Sequence, residues 1–454
     1  MRGSPRTARR TRTALALAAV GALALTTAGC GGDDDGGAQG GGPSAPTAVS
    51  LPRLDGQKVQ VTAVWTGSEQ EKFTKVLDEF ERRTGATVSF VPSGDDISGF
   101  VGSKIAGGNP PDIAMLQQVG VLQEFADKGW LKPADDAVRK ELGENYSPGW
   151  QGLGAYRGTQ YGVYFKVSNK SLVWYNTDAF DYAGAKEPKT WREFLDQASL
   201  ISDSGVTPVS VGGADGWTLT DWFENVYLSQ AGPEKYDQLA QHKIKWTDPS
   251  VTQALTTLAE LWGGRGMVAG GGSGALQTEF PESVTQTFAK GDRLKAAMVF
   301  EGDFAATNIT DARAELGKEA NVFSFPAVGD TAPVVTGGDV AVALRNTRAS
   351  QALLTFLASP DAARIWAQQG GFVSANKSLD ISAYPDPVFR EIARTLVTAG
   401  DNFRFDMSDQ APAAFGGKPG QGEWKALQDF LKNPRNIRGT QRALERDAAA
   451  AYKN

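Results

Sequence analysis

The run Val59-Gln60-Val61-Thr62-Ala63-Val64-Trp65 alternates and is rich in β-branched side chains, and Thr66-Gly67 breaks it. That pattern is a strand. Ser68 stands three residues before Glu71, the spacing of a capping box, and Phe73, Val76, Leu77 and Phe80 recur at helical spacing until Gly85. Thr87 to Val91 is a second short strand. A β-α-β unit of this kind opens a mostly parallel sheet. Ligands of such sheets sit beyond the carboxyl ends of the strands, which singles out the loop Trp65-Thr66-Gly67-Ser68-Glu69.

The alternation of strand and helix continues to the end of the chain. A hard turn ending in Pro110-Pro111-Asp112 precedes the apolar strand Ile113 to Leu116, and Gln117 and Gln118 leave its carboxyl end. Tyr161 to Tyr175 is a long strand-prone run containing Lys166. Thr190-Trp191-Arg192-Glu193 is another capping box, starting a helix to about Ile201, and Asp248 to Trp262 is a further helix. Gly263 to Gly274 lacks the G-x-x-x-x-G-K-[ST] phosphate cradle and is expected to be a mobile surface loop. Strands follow at 296–300, 322–325 and 340–344, and helices at about 350–358, 361–369, 386–398, 422–432 and 435–451. From Val59 onward the chain is long enough for two domains. The expected class is α/β with two lobes.

Ahead of this region the chain has a different character. Arg2, Arg6, Arg9, Arg10 and Arg12 precede an Ala/Leu-rich run from Ala14 to Ala28, with no acidic residue. Basic, then apolar, then small residues is the order of a secretory signal peptide, assigned to residues 1–29. The run is shorter than the roughly 20 residues that span a bilayer. It ends in Thr27-Ala28-Gly29-Cys30, which resembles the bacterial lipobox, so Cys30 is expected to be lipidated. Cys30 is the only cysteine, which excludes an intrachain disulfide and leaves lipid attachment as its use. The Gly-, Asp-, Pro- and Ala-rich stretch from Gly31 to Ser50 cannot bury a core, and residues 30–56 are expected to be the lipidated Cys and a flexible tether.

Charge and composition exclude several functions. The formal charge is −6, and residues 1–29 hold five Arg and no acid, so the mature chain stands at −11. Nucleic-acid binding needs a basic footprint instead. His242 is the only histidine, which leaves almost no raw material for Ser-His-Asp or Cys-His catalysis or for His-rich metal sites. Against this stand 11 Trp, 10 Tyr and 22 Phe, enough to build aromatic walls. No cofactor and no metal is expected.

Several segments, in this order and spacing, resemble the family 1 extracellular solute-binding proteins of ABC importers, the group containing maltose-binding protein. They are the Val59–Trp65 strand with "WTGSE", "GNPPDIAML" at 108–116, "YGVYFKVSNKSLVWYNTDAF" at 161–180 and "PKTWREFL" at 188–195. "MVFEGDF" at 298–304, "VTGGDVAVAL" at 335–344 and "LLTFLASPDAARIWAQQGGFVSANKS" at 353–378 continue the match. "KVSNKSLVWYN" and "FDMSDQAPAAFGGK" look most like the α-glucoside-binding branch. The resemblance implies the two-lobed periplasmic-binding-protein-like fold of class II, with a hinged cleft. Lobe 1 is expected at 57–165 plus 327–378, and lobe 2 at 166–326 plus 379–454. It implies a monomer on the extracellular face of the membrane, held by its lipid only, which passes a captured sugar to a permease.

A sugar offers hydroxyls to polar groups and apolar C–H patches to aromatic rings, so its site needs carboxylates and amides beside Trp or Tyr. Trp65 at the end of the first strand is a candidate ring wall, against the alternative of a core Trp capping the sheet. Ser68 and Glu69 follow in the same loop; Glu69 either accepts hydroxyls or serves the helix dipole. Lys166 either donates to hydroxyls or is a solvated strand charge. Asp112 is assigned to its Pro-Pro turn and Trp366 to the core. Glu301 follows a buried strand, where a carboxylate must find partners, and Asp339 follows Gly337-Gly338 at a turn. The resemblance adds Gln117 from the first lobe, Trp217 and Asp221 in "ADGWTLTDW" with Trp222 as the competing indole, Asp406 and Asp409, and Trp424 as a far wall. A glycosidase would also use paired carboxylates, but nothing fixes two of them at a working separation. A polyamine or a polyol phosphate is the alternative cargo.

Overall fold

A computed structural model describes residues 48–94, 97–399 and 403–453. The signal peptide, Cys30 and the tether up to residue 47 lie outside the described residues. Among the described residues no helix is long and apolar enough to cross a membrane.

The opening unit forms as its pattern dictates. β1 (Lys58–Ala63) and β2 (Thr87–Pro92) pair in parallel, joined by the helix Gly67–Thr84. That helix buries Phe73, Val76, Leu77 and Phe80, and Gly85 ends it in the left-handed conformation at φ 77°. The capping box does not form. The cap position falls on Thr66, without a side-chain bond, and Ser68 lies inside the first turn. β3 (Ile113–Leu116) joins β1 in parallel. A ribbon of β4 (Ala155–Tyr156) and β5 (Thr159–Gln160) follows.

The long run from Tyr161 divides into β6 (Gly162–Asn169) and β7 (Leu172–Asn176), which enter different sheets. The second sheet is completed by β8 (Val209–Ser210), β9 (Met298–Phe300) and β10 (Ala320–Ser324), in the order β10-β7-β9-β8. β11 (Val335–Ala343) returns to the first sheet, antiparallel to both β3 and β6, and β12 (Arg404–Phe405) adds to its start. The first sheet is thus mixed: three of its five pairings are parallel, and β11 runs antiparallel to both β3 and β6.

Alternation along the second sheet divides its side chains between two cores. Leu172, Trp174 and Val299 join the core of the first sheet, through the helices Phe280–Phe288 and Ala305–Asp311. Val173, Tyr175, Met298 and Phe300 face the second core, closed by the helices Trp217–Ala231, Pro249–Trp262, Gly422–Lys432 and Ile437–Ala451. Thr190 caps the helix Trp191–Asp203 with a complete capping box, as expected. The Gly-rich stretch bridges to the second sheet at Val209↔Val268 and ends in a short helix, Gly271–Ala275.

The crossings between sheets differ from the expected boundaries at two places. Lys166 to Asn169 still pair with β11, so the first crossing follows Asn169. Phe389, Ile392, Leu396, Phe403 and Phe405 pack in the first core, so the last crossing follows Phe405 and not residue 378. Apolar periodicity locates a helix but does not say which of two cores receives its face.

Candidate functional site: an acidic junction between the lobes

Three chain crossings meet at one place. Lys170 N donates to Val335 O and Ser171 Oγ accepts from Val335 N, both at 2.8 Å, tying the first crossing to the second. Asp406 N donates to Thr336 O at 2.7 Å, which adds the third. The titratable residues gather around this junction in two groups.

The first group centres on Lys166, on β6 directly opposite Asp339 of β11. Lys166 is buried and ion-paired with Glu69 from the first helix. Burial opposes its charge, but Glu69, Asp339 and Asp303 outweigh that and hold its pKa above the ordinary range. Asp339 Oδ1 and Asp303 Oδ2 are buried without a hydrogen-bond partner. Burial pushes both acids up to about 7, against the opposing pull of Lys166.

The second group centres on Lys170. Its ammonium contacts Asp221 at 3.2 Å, Asp409 at 3.6 Å and Asp406 closest of all. Burial pushes the Asp221 carboxyl far up, while Lys170 and the bond from Asp221 overcome burial and hold Asp406 below the usual carboxylate range. Asp409 is pushed up to about 7, by burial and then by Asp406. Glu301 is 2 % exposed, and burial followed by the charge of Asp221 drives its pKa well up. Trp217, half-buried, lies beside this group with Lys170 Nζ 5.8 Å from its ring centre and with Phe280 and Phe304 at 5.3 and 5.8 Å. Trp424 packs its Cβ where a Cβ on Gly216 would stand, 2.9 Å away, so both indoles border the same turn.

These raised acids carry a pH dependence. Asp303 and Asp339 titrate near 7 in the folded protein against an ordinary 3.8, so the native state holds protons that the unfolded chain has released. Their contribution is complete below the ordinary value and is lost as pH rises toward 7. The melting temperature is expected to fall between about pH 5 and about pH 8, with Asp303→Asn flattening the fall. Calorimetric scans across that range check this, and a melting temperature that rises with pH contradicts it.

The junction brings together most of the expected residues: Glu69, Lys166, Asp339, Trp217, Asp221, Glu301, Asp406, Asp409 and Trp424. Ser68 is half-buried beside Glu69, and among the described residues its hydroxyl makes no hydrogen bond. Three expectations change. Trp65 is 3 % exposed, with Phe73 and Trp366 edge-on at 4.9 Å each, so it is a core indole and not a ring wall. Gln117 is exposed, and its neighbour Gln118 reaches Asp409 instead. Asp406 is fully buried under Lys170 at the crossing, so it holds the junction rather than meeting a ligand. Trp222 is the core member of its pair, against Phe300 at 4.6 Å. Asp112 accepts from Gln60 N of β1, a bond that ties its turn to the first sheet.

Sequence reasoning missed Lys170, Gln118, Asp303 and Glu224. A signal existed for the last: Asp221, Glu224 and Asn225 share one face, at i, i+3 and i+4, of a helix rich in large apolar residues. The lobes approach closely beside Gln118, where a Cβ on Gly120 would stand 2.3 Å from Ala411 O. Two surface hollows, one lined by Lys75, Asp78 and Arg364 and one by Ser50, Asp135 and Gln351, hold none of the junction residues and no aromatic wall. Among the described residues no group of acids, His and Cys is arranged to hold a metal ion.

Comparison with known proteins agrees with this architecture. Residues 66–364 match the family described as bacterial extracellular solute-binding protein. The osmoprotective compounds-binding protein GgtB of Synechocystis is 32% identical over 385 residues, 83% of this chain and 89% of that protein. The alpha-glucosides-binding periplasmic protein AglE of Rhizobium meliloti is 30% identical over 394 residues, 83% and 84% of the two chains. Among solved structures, the bacterial solute receptor AcbH superposes with a TM-score of 0.74 at 19% identity, over 87% of this chain and 99% of that one. Maltose-bound MalE3 of T. maritima gives 0.68 at 20% identity, over 87% and 99%. The chain therefore belongs to the bacterial extracellular solute-binding protein family, and is a two-lobed substrate-binding protein of the ABC-importer type, not an enzyme.

Proposed function

We propose that this protein is anchored to the outer face of the membrane by lipid on Cys30, captures an oligosaccharide of the α-glucoside class between its lobes, and presents it to its importer's permease. The observation that carries the reading is the junction itself. A partly exposed indole, Trp217, borders Lys170, and Glu301, a buried carboxylate that makes no side-chain hydrogen bond among the described residues, lies within electrostatic reach of the same lysine. A ring face with a waiting acceptor fits a sugar. The name of AglE, an alpha-glucosides-binding protein, points to the same class. A phosphorylated ligand is disfavoured, because the junction's central cations, Lys166 and Lys170, are already engaged by acids.

The test is a thermal-shift screen with maltose, trehalose, sucrose, cellobiose and spermidine. Stabilisation by the α-linked sugars, without release of reducing sugar, is the expected result. A shift with spermidine alone would make the cargo a polyamine. Glu301→Gln is expected to weaken the best sugar by about tenfold or more, roughly 1.4 kcal/mol. The melting temperature should hold or rise, since the variant removes an uncompensated buried acid. Unchanged affinity takes Glu301 out of the site. For the anchor, Cys30→Ser should release the protein from the membrane fraction into the medium.

A further inference from the structure

The helix Trp217–Ala231 is buried all round from Thr218 to Ser229, so every polar side chain on it must find a partner inside the protein. Three of them, on one face, reach the chain crossings. Asp221 contacts Lys170. Asn225 Nδ2 donates to Lys170 O at 2.9 Å, and its Oδ1 accepts from Ser171 Oγ. Glu224 accepts from Met407 N at 2.6 Å and from Ser408 N at 3.0 Å, while Tyr236 Oη donates to it at 2.6 Å. Those amides open the turn Met407–Gln410, where Asp406 in its own right accepts from Asp409 N and Ser408 Oγ.

We infer that Glu224 is a positioning residue for ligand capture: it fixes the third crossing so that Asp409 faces Gln118 of the other lobe and Lys170 across the junction. The inference rests on the cleft reading above, since Asp409, not Glu224, is the group near the ligand space. Glu224 is 0 % exposed and touches no such space. Asp409 keeps 18 % of its side chain exposed. Losing Glu224 would free the amides of Met407 and Ser408, and the turn carrying Asp409 would loosen toward water. Such turns at lobe crossings absorb the backbone change when lobes close.

The test has two readouts on Glu224→Gln, which retains the volume but presents an amide N–H to main-chain donors. The first needs no ligand. Asp409 titrates near 7 in the wild type because it is held buried beside Asp406. In Glu224→Gln, with aspartate carboxyls observed by carbon NMR, its midpoint is expected to fall toward the ordinary value. An unmoved midpoint overturns the inference, whatever the protein binds. The second is a double-mutant cycle with Asp409→Asn, titrated calorimetrically with maltose and with trehalose. Each single variant is expected to weaken binding at least fivefold, and the double variant no further than the weaker single, because both act through one group. Additive losses overturn the inference and leave Glu224 with a merely structural role. If neither sugar binds the wild type, the sugar reading fails, while the NMR midpoint still decides the positioning role. Tyr236→Phe removes one donor to Glu224 and leaves its carboxylate; it reports the same direction, more weakly, should Glu224→Gln fail to fold.

Discussion

Lys170→Met is expected to destabilise the protein by about 3–5 kcal/mol at neutral pH, the range for breaking a buried charge group by removing one partner. The ammonium is the only cation in contact with Asp221, Asp406 and Asp409 among the described residues. Without it three carboxyls lie buried in one place, and one of them, Asp406, is ionised. The neutral methionine fills the volume but compensates nothing. The sign of the pH effect follows. With Lys170 gone, all three carboxyl pKa values rise, Asp406 from below its unfolded value and Asp221 and Asp409 further above theirs, so the native form binds more protons than in the wild type and its stability falls more steeply as pH rises. The deficit relative to wild type should therefore be larger at about pH 8 than at about pH 5. Urea midpoints at both pH values measure it. Equal midpoints for the variant and the wild type at high pH would mean that the acids are reached by water and the junction is looser than its burial implies.

Trp65→Ala is expected to lower stability by about 3–5 kcal/mol, as truncation of a core indole does, and to affect binding only through that loss. The ring is closed in by Phe73 and Trp366 edge-on, with Lys166 Nζ 5.6 Å from its centre. Trp217→Ala is the contrasting variant. It is partly exposed at the junction, so its truncation should leave the melting temperature within a few degrees and weaken the bound sugar by more than tenfold, about 1.4 kcal/mol or more. Denaturant curves and calorimetric titration of the two variants, side by side, separate the roles. A Trp65→Ala protein that is fully stable but fails to bind would return that residue to the site.

The two indoles show where sequence information stops. Both stand at the start of a helix, Trp65 just before Gly67–Thr84 and Trp217 opening Trp217–Ala231, and periodicity treats them alike. Their fates differ because the first helix brings Phe73 under Trp65 while Trp366 arrives from three hundred residues away. The same holds for Gln117 and Gln118. Both leave the carboxyl end of β3, and a single residue's rotation decides which one meets Asp409. The strand from Tyr161 was legible as β structure, yet its division at Lys170 between two sheets was not, because alternation continues through both halves.

By itself the sequence determined the α/β alternation, most element positions and the resemblance to the family. Those follow from local spacing and composition, which every residue carries with it. Only the tertiary structure decided that two lysines hold seven acids at one junction, that Asp406 and Glu224 serve the crossing, and that Trp65 is core. A buried charge has no local signature. Its partner, its proton and its role are set by groups distant in sequence that the fold alone brings within a few ångströms.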